Sequence, residues 1–159
     1  MNSNFNDLSE DSRIWIYQSN KELSNDQVSE ISSGLKEFLK TWNTHGKPIY
    51  CAYKIKYNRF IIIAADNTME ISGCSIDSSV AFIQSLETKY STTLLDKMDV
   101  AYRKDQTISI VSIKNFKQMI KNKSITPNTV VFNNLVSNIS EFNSHWETTI
   151  QDSWHNRFL

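Results

Sequence analysis

Residues 49 to 66 read IYCAYKIKYNRFIIIAAD, and the way this stretch divides decides the fold. The polar triplet Tyr57-Asn58-Arg59 interrupts two β-rich segments, and asparagine accepts the left-handed backbone angles that a tight turn demands. Two strands joined by a hairpin are therefore expected. FIIIAA, the second strand, has no polar face, so it belongs inside a sheet with both sides covered. An interior strand needs another strand on its far side and helices to bury it.

Upstream, RIWIYQS supplies such a strand, because Ile14 and Ile16 alternate with Trp15 and Tyr17 and leave both faces apolar. Between it and the hairpin, Ser24 with Gln27 three residues later forms a capping box, and Val28, Ile31, Leu35, Phe38, Leu39 and Trp42 fall on one helical stripe. His45-Gly46 is read as the stop of that helix. Downstream, Ile76, Val80, Ile83, Leu86 and Tyr90 mark one face of a second helix, and MDVAYR reads as a strand. The order βαββαβ predicts an α+β fold, a ferredoxin-like two-layer sandwich with both helices on one face of a single antiparallel sheet, over residues 13 to 111.

Residues 112 to 159 are expected to extend this domain. The strand ISIVS leads into a short helix capped by Ser112 with Ile113, Phe116 and Ile120 inward, then a turn, SITPNT, and a strand, VVFNN. Ser140 is read as the cap of another short helix bearing Phe142 and Trp146, and Trp154 and Phe158 as apolar anchors of the tail. Residues 1 to 12, polar apart from Phe5 and Leu8, are expected to be a flexible lead-in, which makes 13 to 159 a single domain.

The 17 basic and 17 acidic side chains cancel, so no bulk field attracts a polyanion or an anionic membrane. A strand such as FIIIAA, aliphatic and without flanking Lys or Arg, also lacks the exposed aromatics on which RNA-recognition sheets stack bases. No apolar stretch approaches the ~18 residues of a membrane span and no signal peptide is evident, so a cytoplasmic protein without nucleic-acid or membrane partners is expected. Cys51 and Cys74 are read as free thiols. The three histidines, at 45, 145 and 155, show no metal-type spacing, so neither a metal nor another cofactor is expected.

SGCSID, residues 72 to 77, opens the second helix and admits three readings. In one, Cys74 or Ser75 caps the helix and Asp77 lies in its first turn, where a carboxylate suits the helix dipole. In another the segment holds an anion. In the third Cys74 is a nucleophilic thiol, but the dipole's ~0.3 to 1 kcal/mol is too little alone, and a base is needed. His155 or Arg59 would serve if the tail folded back over this helix start. Arg59 otherwise occupies the hairpin turn. Asn133 and Asn134 either cap a turn or present amides to a ligand, and His155 and Arg157 either line a site or lie solvated beside an apolar clasp.

RIWIYQS, YNRF, SGCSID, VFNN and DSWHNRF, in that order over residues 11 to 159, resemble a family of small uncharacterised Bacteroidetes proteins often labelled "ABC transporter ATPase". The label implies an ATPase, which the residues do not support. A P-loop needs G-x-x-x-x-G-K-[ST], whereas Gly46-Lys47 is preceded by Thr41 in place of the first glycine and followed by Pro48 in place of the hydroxyl. FKQMIKNKSITPNTVVF is similar to the second half of GYF-like peptide-binding domains, although the glycine expected near Lys123 is absent. The expected function is therefore a non-catalytic module that binds a protein, peptide or small anion around Arg59, Cys74, Ser75, Asp77, Asn133, Asn134, His155 and Arg157. A homodimer is consistent with this. The alternative is a thiol-dependent enzyme or redox sensor using Cys74 with His155 as base.

Overall fold

In the computed structural model, which describes residues 1–159, the expected hairpin forms. Strands β1 (Arg13–Gln18), β4 (Cys51–Lys56) and β5 (Phe60–Ala65) make an antiparallel sheet in the order β1-β5-β4. Lys56 pairs with Phe60, and Tyr57 and Asn58 between them take positive φ values of 56° and 54°. Positive φ at both central positions is what a type I′ turn requires, and its twist matches that of the flanking strands. All six residues of β5 are buried, as a strand with no polar face must be.

Two helices, α1 (Asn25–Thr41) and α2 (Gly73–Tyr90), cover one face of this sheet. Ser24 and Gln27 form the full capping box at the start of α1, and Ile31, Leu35, Leu39 and Trp42 are buried. On α2, Ile83, Leu86 and Tyr90 face inward as the periodicity predicts, but over the first half Ser75 and Ser79 take the inward face and Ile76 and Val80 lie half-buried. The small serines let Trp42 reach the helix backbone, where its Nε1 donates to the Ser75 carbonyl at 2.9 Å.

Three local expectations need correcting. First, α1 ends at Thr41, and His45-Gly46 is the two-residue loop of a miniature hairpin between β2 (Asn43–Thr44) and β3 (Lys47–Pro48), with both φ values positive. Second, the N-terminal segment is docked rather than loose. Asn2 forms a parallel bridge with Cys51, and Phe5, in a 3-10 turn at Phe5–Asp7, is 5% exposed. Third, the strand meant to complete the first sheet, β6 (Asp99–Lys104), belongs to a different one.

The chain divides into two compact units, Met1–Leu95 and Asp96–Leu159, so the split does not separate a 13 to 111 core from an extension. The second unit has its own sheet, in the order β7-β6-β8-β9, with β7 at Thr107–Ser112, β8 at Val130–Phe132 and β9 at Glu147–Thr149. The mixed α+β class is present, while the single βαββαβ sheet of a ferredoxin-like sandwich is not. Both edges of β6 are taken: β7 pairs with one across a loop of only Asp105 and Gln106, where Asp105 takes a φ of 57°, and the more distant β8 pairs with the other. A hairpin that short pairs β6 with its neighbour in sequence at little loop-closure cost.

Helix α3 (Ile113–Lys121) is capped by Ser112 and buries Phe116, and α4 (Ile139–His145) is capped by Asn138, not by Ser140. Phe116, Val131, Ile150 and their neighbours form the core of this unit, and Phe158 packs against it as a tail anchor. No helix is long and apolar enough to cross a membrane.

Candidate functional site

The eight residues singled out in the sequence divide between the two units. Arg59, Cys74, Ser75 and Asp77 belong to the first unit, and Asn133, Asn134, His155 and Arg157 to the second. Within the first unit they lie at opposite ends of α1. Beside Arg59, Asn58 donates through its amide to Asn25 at the helix start, whereas Ser75 donates to the Asn43 carbonyl just past the helix end. A helix of this length spans about 25 Å at ~1.5 Å per residue, so the guanidinium and the Cys74 segment serve no common ligand there.

Each of these side chains has a definable local state. Arg59 donates to the Ser19 carbonyl at 3.4 Å, and burial lowers its pKa against the opposing pull of Glu22. The N-cap of α2 is Ser72, whose Oγ accepts from the Ser75 amide at 3.1 Å, so Cys74 is the second helical residue and Asp77 lies beyond the first turn. Cys74 is exposed, and Ser75 is buried with its hydroxyl committed to the Asn43 carbonyl at 2.6 Å. Asn134 accepts from Trp146 Nε1 at 2.9 Å, while the side chain of Asn133 accepts from the Leu135 amide, which is a turn role.

His155 is 1% exposed, with its Nδ1 2.7 Å from Ser153 Oγ and its ring stacked on Trp154 and edge-on to Phe116. Burial lowers its pKa to about 4. Such an imidazole is neutral near pH 7 and engaged within its own unit. Arg157 is exposed. No group of three or more His, Cys, Asp or Glu side chains is arranged to hold a metal ion.

A different place in the first unit has the form of a site. An open cleft of about 590 Å³ lies between the N-terminal segment (Asn2 to Phe5), the polar side of α1 (Lys36, Glu37, Lys40) and the outer edge of β4 (Tyr53, Lys54, Ile55). Three lysines and one glutamate therefore line it. The salt bridges of the chain, Lys89–Glu30 and Arg103–Glu147, involve none of them. The Lys54 ammonium sits 4.7 Å over the Phe5 ring, and burial first, then nearby Lys56, lowers its pKa. The Tyr53 hydroxyl is hydrogen-bonded to Ser32 on α1, which places the Tyr53 side chain on the helix side of the sheet.

The β4 backbone contributes as much as the lysines. The Asp66 amide donates to the Tyr50 carbonyl at 2.8 Å, so Tyr50 points its backbone groups toward β5, and antiparallel alternation turns those of Cys51, Tyr53 and Ile55 outward. Cys51 shows this directly. Its amide donates to the Met1 carbonyl at 3.0 Å, and its carbonyl accepts from the Ser3 amide at 2.7 Å. The N-terminal segment then leaves the edge at Asn4 to begin its 3-10 turn, and no strand continues along Tyr53 and Ile55.

Lys36, Lys40 and Lys54 were not among the sequence candidates. A spacing of four on a helix, and an alternate position on a strand, look like ordinary solvated charge until the two elements are set side by side. Comparisons of the chain with protein-family models, with curated proteins and with solved structures find no match.

Proposed function

We propose that the protein is a non-catalytic binding module and that the lysine-walled cleft beside β4 takes an anionic group. The observation that carries this is that Lys36, Lys40 and Lys54, drawn from two elements, line one open concavity whose only acidic wall residue is Glu37. Charges that no ion pair neutralises and that share a concave, partly desolvated wall hold an anion better than the same charges spread over a convex surface. The wall presents lysine side chains beside the outward backbone of β4, and such groups suit it to hold an anion.

The test is a titration with citrate followed by backbone amide NMR. Shifts are expected at Lys36, Lys40, Tyr53, Lys54 and Ile55, and they should weaken with added salt. The double variant K36Q/K40Q should bind about tenfold more weakly, at ~0.7 kcal/mol per partly exposed charge. Shifts that map to other residues, or an affinity unchanged in the double variant, would refute the proposal.

A further inference from the structure

We infer that the ligand of this cleft is an extended acidic peptide segment that adds as a further strand to the outer edge of β4 at Tyr53 and Ile55. This rests on the cleft being an anion site, and it goes further by naming what the edge recognises. Each of these two residues turns one N–H and one C=O away from β5, both residues are only half-buried, and both line the cleft. Outward backbone groups on a sheet edge recognise another extended chain by main-chain hydrogen bonds, and neighbouring side chains select which chain.

The protein already uses the edge in this way. Met1 to Ser3 run parallel to β4, bracketing the Cys51 backbone with hydrogen bonds, and the Asn2 side chain turns toward α1, where its Nδ2 donates to the Lys36 carbonyl at 2.9 Å. That segment leaves just before Tyr53. An incoming strand would take up the line where the N-terminus abandons it.

Side-chain alternation then dictates the sequence preference. Residues directly opposite each other in paired strands point to the same face, so peptide residues opposite Tyr53 and Ile55 turn toward α1, where Lys36 is the nearer of the two helix lysines that line the cleft. The residue between them turns toward Lys54 and Phe5. Acidic residues at alternate positions around a short apolar residue match this arrangement. Lysine on an edge strand alone commonly serves to repel other strands. Here Lys36 and Lys40 come from the helix, so the charge admits an acidic chain and rejects a basic one.

The probe is acetyl-Thr-Glu-Val-Glu-Thr-amide, compared with its fully backbone N-methylated counterpart and with citrate. The unmodified peptide should slow hydrogen exchange of the Tyr53 and Ile55 amides at least tenfold at saturation. It should also bind at least tenfold more tightly than the N-methylated form, which carries the same charge but no backbone donors. If the N-methylated peptide and citrate bind the cleft as well as the unmodified peptide does, with exchange at Tyr53 and Ile55 unchanged, strand addition is refuted while the anion site stands. If none of the three binds, both readings fall. Protection of these amides that grows with protein concentration in the absence of peptide would identify a second copy of the chain as the occupant and overturn the peptide assignment.

Discussion

His155 makes the second unit sensitive to mild acid. The imidazole is 1% exposed and enclosed by Ser153, Trp154 and Phe116, and burial lowers its pKa from 6.5 to about 4. Because the folded value lies below the unfolded one, the unfolded chain takes up the proton first as the pH falls. The stability gained by keeping the ring neutral is complete above about pH 6.5, is lost as the pH drops below that value, and stops changing below about pH 4, where the folded ring protonates too. At about 1.36 kcal/mol per pH unit the full effect is on the order of 3 kcal/mol, with about 2 kcal/mol lost between pH 7 and pH 5. That is a large part of the ~5 to 15 kcal/mol that holds an ordinary domain together. Urea unfolding of the wild type and of His155→Gln at pH 7, 6 and 5 measures it, since both proteins share every other titrating group. The wild type should lose about 2 kcal/mol more than the variant over this range. Parallel pH profiles, or a native imidazole that titrates near pH 6.5 by NMR, would refute the reasoning.

Three further outcomes follow from the local geometry. Iodoacetamide should label Cys74 in the native protein and Cys51 only in denaturant, because Cys51 is fully buried and burial raises its pKa, and a second native adduct by mass spectrometry would contradict this. Asn138→Ala should cost about 1 kcal/mol in chemical denaturation while Ser140→Ala stays within about 0.5, since the cap of α4 is the asparagine; the reverse order would place the cap two residues later. Lys123→Gly should stabilise by about 1 kcal/mol. Lys123 closes α3 with a φ of 64°, and the Ser124 and Lys123 amides donate to the Met119 and Ile120 carbonyls in a Schellman arrangement that favours glycine. A drop in stability on that substitution would count against it.

Much of the first unit was legible because its signals are local. The alternation of RIWIYQS, the wholly apolar FIIIAA, the Ser24/Gln27 box and the Tyr57-Asn58 turn each specify an element through contacts a few residues apart. Misreadings arose where two local signals compete. His45-Gly46 suits a helix end or a two-residue hairpin equally, and the hairpin forms because Asn43 and Thr44 pair with Pro48 and Lys47. Phe5 looked like an isolated apolar residue in a polar lead-in, but it is buried near the β4 edge, with the Lys54 ammonium over its ring. Residues 116 to 132 form the end of α3, a turn and β8, and Lys123 takes the left-handed conformation after the helix.

The candidate site was hidden for a different reason. Motifs such as SGCSID and DSWHNRF gather polar residues along the chain, yet the fold commits Ser75 to a backbone carbonyl and His155 to a neighbouring serine. Lys36, Lys40 and Lys54 carry no motif, and they come to line one cleft only when α1 is packed on the sheet beside β4.

Composition, periodicity and caps by themselves determined that this chain forms mixed helices and strands, and where β1, β5, α1 and α3 begin, because those choices are settled within a few residues. Sheet membership for Asp99–Lys104 and the meeting of the lysines with an open strand edge were decided only by tertiary structure. Both depend on which elements come to lie side by side, and that is a competition between long-range pairings whose energies no short stretch of sequence records.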